Sequence, residues 1–152
     1  MADERVGGSF WLSEFVRSDT AVRRGIDNMP PGQALQNIRS VLGPGMQRIR
    51  EALGVPVLIT SGYRSPALNA IVGGARNSQH LDGLAADFIA PQFGTARTVA
   101  KYLASRMADI RADQLIAEGN WVHVSFSPTA ARGELLTAHF SGGHVTYTRG
   151  IG

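Results

Sequence analysis

Apolar residues recur at helical spacing from Gln33 onward: Leu35, Ile38, Val41 and Leu42, then Met46, Ile49 and Leu53. This period predicts amphipathic helix. Gly43-Pro44-Gly45 interrupts the run and is expected to end one helix and start the next, with Pro44 in its first turn. Upstream, residues 13–16 predict a short helical or turn element. Asp19-Thr20 can cap a second helix that reaches Arg24 and stops at Gly25, and residues 28–32 form a Pro-Gly break. Apolar runs at residues 55–60 and 84–90 are short and bounded by turn residues, which predicts buried strands. A short helix is expected over residues 66–71, followed by a loop at Gly73-Gly74. Thr95 can cap a helix to about Met107 whose inner face is Val99, Tyr102, Leu103 and Met107. Residues 114–117 and 121–126 read as two strands joined at Glu118-Gly119-Asn120, a hairpin signal.

These elements predict an α+β fold in one domain over residues 9–149, with a small, mainly antiparallel sheet and flanking helices. Residues 1–8 and Gly150-Ile151-Gly152 are expected to be loose. A chain of 152 residues suffices for one core that buries about 70% of its unfolded surface. With 43% hydrophobic and 18% charged residues, disorder beyond the ends is not expected.

The net charge of +3 is carried by arginine, Lys101 being the only lysine. Such a mild basic bias favours an anionic polymer, and scattered solvated charge explains it equally well. No basic run interleaved with aromatics occurs, so no nucleic-acid partner is expected. Without cysteine, disulfides and thiolate metal sites are excluded. The first eight residues carry acids and no apolar core, unlike a secretory signal, and no stretch is long enough for membrane insertion.

Candidate chemistry sits in Ser78-Gln79-His80-Leu81-Asp82-Gly83-Leu84-Ala85-Ala86-Asp87 and in Trp121-Val122-His123-Val124-Ser125. A catalytic zinc is usually held by three protein ligands with a fourth position left for water. His80, Asp87 and His123 supply three. Gly83 and Ala85 leave room for the backbone to turn, so that a strand from Leu84 carries Asp87 towards His80. Alternation in the second segment places Trp121, His123 and Ser125 on one face of a strand. His139 and His144 lie in a Gly-rich tail around Ser141-Gly142-Gly143 and are read as surface residues.

Ser-x-His-x-x-Gly-x-Ala-x-Asp followed by Trp-x-His resembles the zinc D-Ala-D-Ala peptidase family. That family comprises bacterial D,D-carboxypeptidases, vancomycin-resistance D,D-dipeptidases and phage peptidoglycan endopeptidases, and shares its fold with the hedgehog signalling domain. Ser61-Gly62-Tyr63-Arg64-Ser65, followed by Asn69, is similar to a family segment, and Gly73-Gly74-Ala75 leads into the His motif as it does there. The likeness runs from Phe10-Trp11-Leu12-Ser13-Glu14-Phe15 to Phe126.

The resemblance implies one Zn2+ ion held by His80, Asp87 and His123, with Arg64 binding substrate or the developing oxyanion. By ligand type alone, cobalt or nickel also fits. The family's catalytic acid stands three residues before the second His, where this chain has Asn120, which cannot act as a base. Glu118, two residues earlier, is therefore expected to be the general base and acid through a longer or bulged turn, ahead of Asp82 and Asp113. Ser78 is expected to support His80, with Tyr63, Trp121 and Ser125 lining the groove.

The activity so implied is hydrolysis of an amide bond in a peptidoglycan peptide by a monomer. A phage or prophage lytic endopeptidase is expected, held in the host cytoplasm until lysis machinery releases it, or carried in a virion. A cellular D-Ala-D-Ala carboxypeptidase and a non-catalytic zinc-containing binding module are the alternatives, the latter kept open by Asn120.

Overall fold

The computed structural model describes residues 3–152. A two-stranded ribbon of β1 (Arg5–Gly7) and β2 (Phe10–Trp11) leads into α1 (Leu12–Val16) and α2 (Asp19–Arg24). Val6 lies in the core, so the expected looseness of residues 1–8 is corrected for this stretch, while Met1 and Ala2 fall outside the described residues. The α2 cap is Ser18, one residue earlier than expected, its Oγ accepting the Ala21 N–H at 3.1 Å.

α3 (Gly32–Asn37) continues through a π-helical turn, Ile38–Leu42, into α4 (Gly43–Leu53). The expected break at Gly43-Pro44-Gly45 does not occur. Pro44 has no N–H for the helical ladder, and the wider turn ahead of it, where the Gly43 N–H bonds the Ile38 carbonyl, absorbs the mismatch. The two glycines serve close packing instead. A Cβ on Gly43 would lie 2.1 Å from the Val6 carbonyl oxygen, and one on Gly45 2.7 Å from the Phe126 ring.

The chain then runs through β3 (Leu58–Ser61), α5 (Pro66–Val72), a 3-10 turn (Gln79–Asp82), β4 (Ala85–Ile89), α6 (Ala96–Ala104) and α7 (Met107–Ile110). It ends with β5 (Gln114–Ala117), β6 (Val122–Ser125), β7 (Glu134–Ser141) and β8 (His144–Arg149). Thr95 caps α6 as expected, through its Oγ1 and the Thr98 N–H at 3.2 Å. The helix stops short of Met107 where the Ser105 hydroxyl turns back to the Tyr102 carbonyl at 2.6 Å.

Six strands form one sheet in the order β3-β4-β6-β5-β7-β8. Its pairs are antiparallel except β5 with β7, so the α+β class with a mostly antiparallel sheet holds. Register sorts the two faces. Ala86, Phe88, Val122, Val124 and Leu115 occupy one face and form a single core with Met46, Ile49, Val99 and Leu103 of α4 and α6. Each such large side chain contributes about 1.5–3 kcal/mol by leaving water. Asp87, His123 and Ile116 stand in register on the other face, which the helices leave free for chemistry.

The last twenty residues depart most from expectation. The Gly-rich tail is a hairpin, β7–β8, turning at Gly142 and Gly143, whose φ values of +56° and +79° suit glycine. Gly150 is also tied down, its N–H donating to the Leu135 carbonyl at 2.8 Å and its carbonyl accepting the Thr137 hydroxyl at 2.7 Å. Among the described residues, no helix is long and apolar enough to cross a membrane.

Candidate metal centre and its cleft

Asp87 and His123 are directly opposed across β4 and β6, which brings the His123 Nδ1 to 3.0 Å from Asp87 Oδ1. His80 arrives from the 3-10 turn, its Nε2 3.3 Å from the same oxygen. One ligand atom from each residue falls within 4.8 Å of the others. His80 is 1% exposed, and its Nδ1 lies 2.7 Å from the Gly62 carbonyl. Donation of the Nδ1 proton to that carbonyl leaves the Nε2 lone pair directed at Asp87, the arrangement a metal-ligating imidazole requires. Burial alone would raise the Asp87 carboxyl, but the His123 and His80 rings beside it outweigh that and hold the group well below the usual carboxylate range. Two imidazole nitrogens and one ionised carboxylate, converging from separate elements, fit a divalent cation such as zinc.

The turn under His80 is fixed by Ser78, whose Oγ accepts the His80 N–H at 3.2 Å. Ser78 thus supports the backbone, and Gly62 orients the ring. The segment from Ser61 to Ser65 is knitted to this turn a second time, the Arg64 N–H donating to the His80 carbonyl at 3.1 Å. Gly62 has no alternative, since a Cβ there would lie 2.5 Å from the Phe15 carbonyl oxygen. Asn28, which the sequence reading passed over as part of a break, is buried. It holds the same segment, donating to the Tyr63 carbonyl at 3.0 Å and accepting from the Ser65 N–H at 2.8 Å.

A cleft of about 680 Å3 opens over the cluster, with Arg64, Glu118 and Trp121 among its walls. Glu118 reaches it without a bulge. Its N–H donates to the Trp121 carbonyl at 3.0 Å, so the turn holds only Gly119 and Asn120 between the bonded residues. Ile116 opposes His123 one step further in, and strand alternation puts Glu118 on that same face. The expectation of a longer or bulged turn is corrected accordingly, and Asn120 stays exposed at the tip. Burial raises the Glu118 carboxyl above the ordinary range; the His123 charge works against this and the Asp87 charge with it.

Arg64 also borders a second cavity of about 640 Å3, shared with Tyr63 and Asp87. Burial lowers the affinity of its guanidinium for the proton, with Asp87 opposing that shift, and its Nε is buried without a hydrogen-bond partner among the described residues. Ser125, expected in the groove, has no exposed surface, and its hydroxyl has no partner among the described residues. β6 is flanked there by Ala85 and Gln114, and their strands seal it.

Asp113 is the other residue whose role the sequence concealed. It accepts from Arg132 Nη2 at 2.8 Å and from the Arg132 backbone N–H at 2.9 Å, while Gln79 Nε2 reaches it at 3.2 Å. The turn bearing His80 is thereby tied to the start of β7. Hydrogen bonds from Arg132 lower the Asp113 pKa. The stabilisation is fully present above the unfolded value of about 3.9 and is lost as pH falls through the lowered folded value. Asp113→Asn is expected to cost about 1–2 kcal/mol at pH 7. Urea unfolding of both proteins between pH 7 and pH 3 should show the gap closing at the acid end.

Among protein-family models, the one described as Peptidase M15 matches residues 8–125, more than half of the chain. The matched stretch contains Arg64, His80, Asp87, Glu118 and His123 and ends before β7 and β8. A comparison with curated proteins finds no match.

Proposed function

The chain belongs to the Peptidase M15 family of zinc-dependent peptidases, and from that premise we propose that it is an endopeptidase that hydrolyses an amide bond in the peptide cross-links of peptidoglycan. The observation that carries the reading is the position of Glu118, on the same sheet face and in the same cleft as His80, Asp87 and His123. A family domain that had lost catalysis would need no half-buried carboxylate there, so this placement weighs against the non-catalytic binding module. The lytic phage or prophage setting expected from the sequence goes with this reading.

His80, Asp87 and His123 would hold a zinc ion, which would supply Lewis acidity towards a water and the scissile carbonyl. Glu118 takes a proton from the attacking water and returns it to the nitrogen of the leaving amine as the C–N bond breaks. A carboxylate within reach of the attacking water can serve in both transfers, first as base and then as acid. Arg64 presents donors, including an Nε without a partner among the described residues, to an oxygen of the bound peptide.

Support for an endopeptidase comes from the space on both sides of Arg64. Arg64 borders both the cleft and the second cavity, whereas a carboxypeptidase needs a closed pocket behind the terminal carboxylate. Arg64→Ala is expected to raise KM about tenfold or more with little change in kcat, as for a group that binds the ground state. A matching fall in kcat would assign it to the oxyanion instead. The proposal is tested with a cross-linked stem-peptide dimer and with a pentapeptide ending in D-Ala-D-Ala, its C-terminus free or amidated. Cleavage of the dimer and indifference to amidation are expected. Activity confined to the free carboxylate would make the protein a carboxypeptidase.

A further inference from the structure

The cleft extends beyond the stretch that carries the family match. Leu136 of β7 and Tyr147 of β8 line it together with His80, His123 and Glu118, although the match stops at residue 125. Register shows how far this wall reaches. Leu136 lies beside Ile116, which opposes His123, and within the hairpin Ala138 opposes Tyr147 and Phe140 opposes Val145. Alternation therefore puts Leu136, Ala138, Phe140, Val145 and Tyr147 on the metal-bearing face. Thr137, His139, Thr146 and Thr148 take the reverse, where His139 Nε2 lies 2.8 Å from Thr148 Oγ1.

A sheet with one covered face normally turns its apolar side to the core. Here the outer end of the hairpin turns its apolar side to the mouth of the cleft and leaves it open, with Phe140 57%, Val145 43% and Tyr147 48% exposed. An uncovered apolar strip of this kind marks a binding surface. The strip also abuts the catalytic turn, because a Cβ on Gly119 would lie 3.2 Å from the Phe140 ring. Its base is held rigid by the Arg132 clamp on Asp113 and by Gln114 Nε2 donating to Glu134 at 2.6 Å.

We infer that this face of the β7–β8 hairpin is a substrate platform, which holds the peptide on one side of the scissile bond and selects an extended chain with small apolar side chains. The inference rests on the peptidase reading above. The occupant is the substrate because Tyr147 belongs to the strip and to the cleft at once, so that a peptide leaving the metal centre on that side runs directly onto the strip. The aromatic surfaces of Phe140 and Tyr147 give methyl groups such as those of alanine a broad contact at little cost in side-chain entropy.

Titration calorimetry on zinc-loaded Glu118→Gln protein tests this, with the D-Ala-D-Ala dipeptide and the cross-linked stem-peptide dimer as probes. The comparison protein carries Phe140→Ser and Val145→Ser as well, both at exposed positions, and its Tm reports that the fold is kept. Affinity for the dimer is expected to fall about tenfold, and affinity for the dipeptide by less than about twofold. Equal losses for the two probes, no loss for the dimer, or no binding of the dimer before the hairpin is altered would each overturn the inference. Wild-type protein that binds the dimer through the hairpin and never cuts it would remove the peptidase reading and leave the platform standing.

Discussion

Glu118→Gln is expected to keep one metal ion per chain and to lose about 10²–10⁴ of kcat. The substitution conserves size and hydrogen-bonding shape, so the fold and the three ligands stay in place, while the amide can neither take nor return a proton. The expected loss is large because Glu118 is the one carboxylate besides Asp87 that lines the cleft over the cluster among the described residues. Asp82, the other acid close in sequence to a ligand, is exposed, and its carbonyl accepts from Asn37 Nδ2 at 2.8 Å on the far side of the turn. Metal content by mass spectrometry and steady-state kinetics on one preparation check both halves of the prediction. Turnover equal to wild type would move the base to another residue.

His80→Ala is expected to abolish stoichiometric metal binding and, with it, hydrolysis. Two ligands remain after the change, too few to hold a zinc ion in an open catalytic site. The variant also loses stability, by about 1–3 kcal/mol, since the Gly62 carbonyl is left without its partner in a buried setting. His123→Ala separates the two effects. The His123 side chain is 13% exposed and bonds Asp87 rather than the backbone, so its removal costs metal with a smaller change in Tm. Retention of a full equivalent of metal by either variant would dissolve the three-ligand site.

The three candidate ligands were legible because each sits in a distinctive local pattern. A strand's alternation carried His123 to one face, and small residues between His80 and Asp87 allowed the chain to double back. Glu118 was expected only as the acid nearest the family's missing base position at Asn120, and plain alternation from Ile116, with no bulge, is what delivers it to the cleft. What supports the site was hidden, because its partners are far apart in the chain. Asn28 closes on Tyr63 and Ser65, and Asp113 on Gln79 and Arg132, and nothing local distinguishes these side chains from turn formers. Gly43-Pro44-Gly45 misled in the opposite sense. Residues that ordinarily stop a helix stand where the Val6 backbone and the Phe126 ring come too close for a side chain.

The β7–β8 hairpin escaped notice through its composition. Thr137, His139 and Ser141 alternate with Ala138 and Phe140, a strand period, but the small residues and the Gly142-Gly143 turn resemble a solvated tail. Its apolar face opens on the cleft rather than the core, so its hydrophobic signal is weaker than that of β4 or β6. Local patterns report burial in the core more readily than surfaces kept open for a ligand.

The central claim is tested most directly by mass spectrometry of purified peptidoglycan after incubation with the zinc-loaded protein, beside a chelated sample and His80→Ala. New stem-peptide fragments that are absent from both controls are the predicted result, and their masses name the bond that is cut. Intact peptidoglycan of several wall chemistries, recovered after incubation with folded, zinc-loaded protein, would contradict the account.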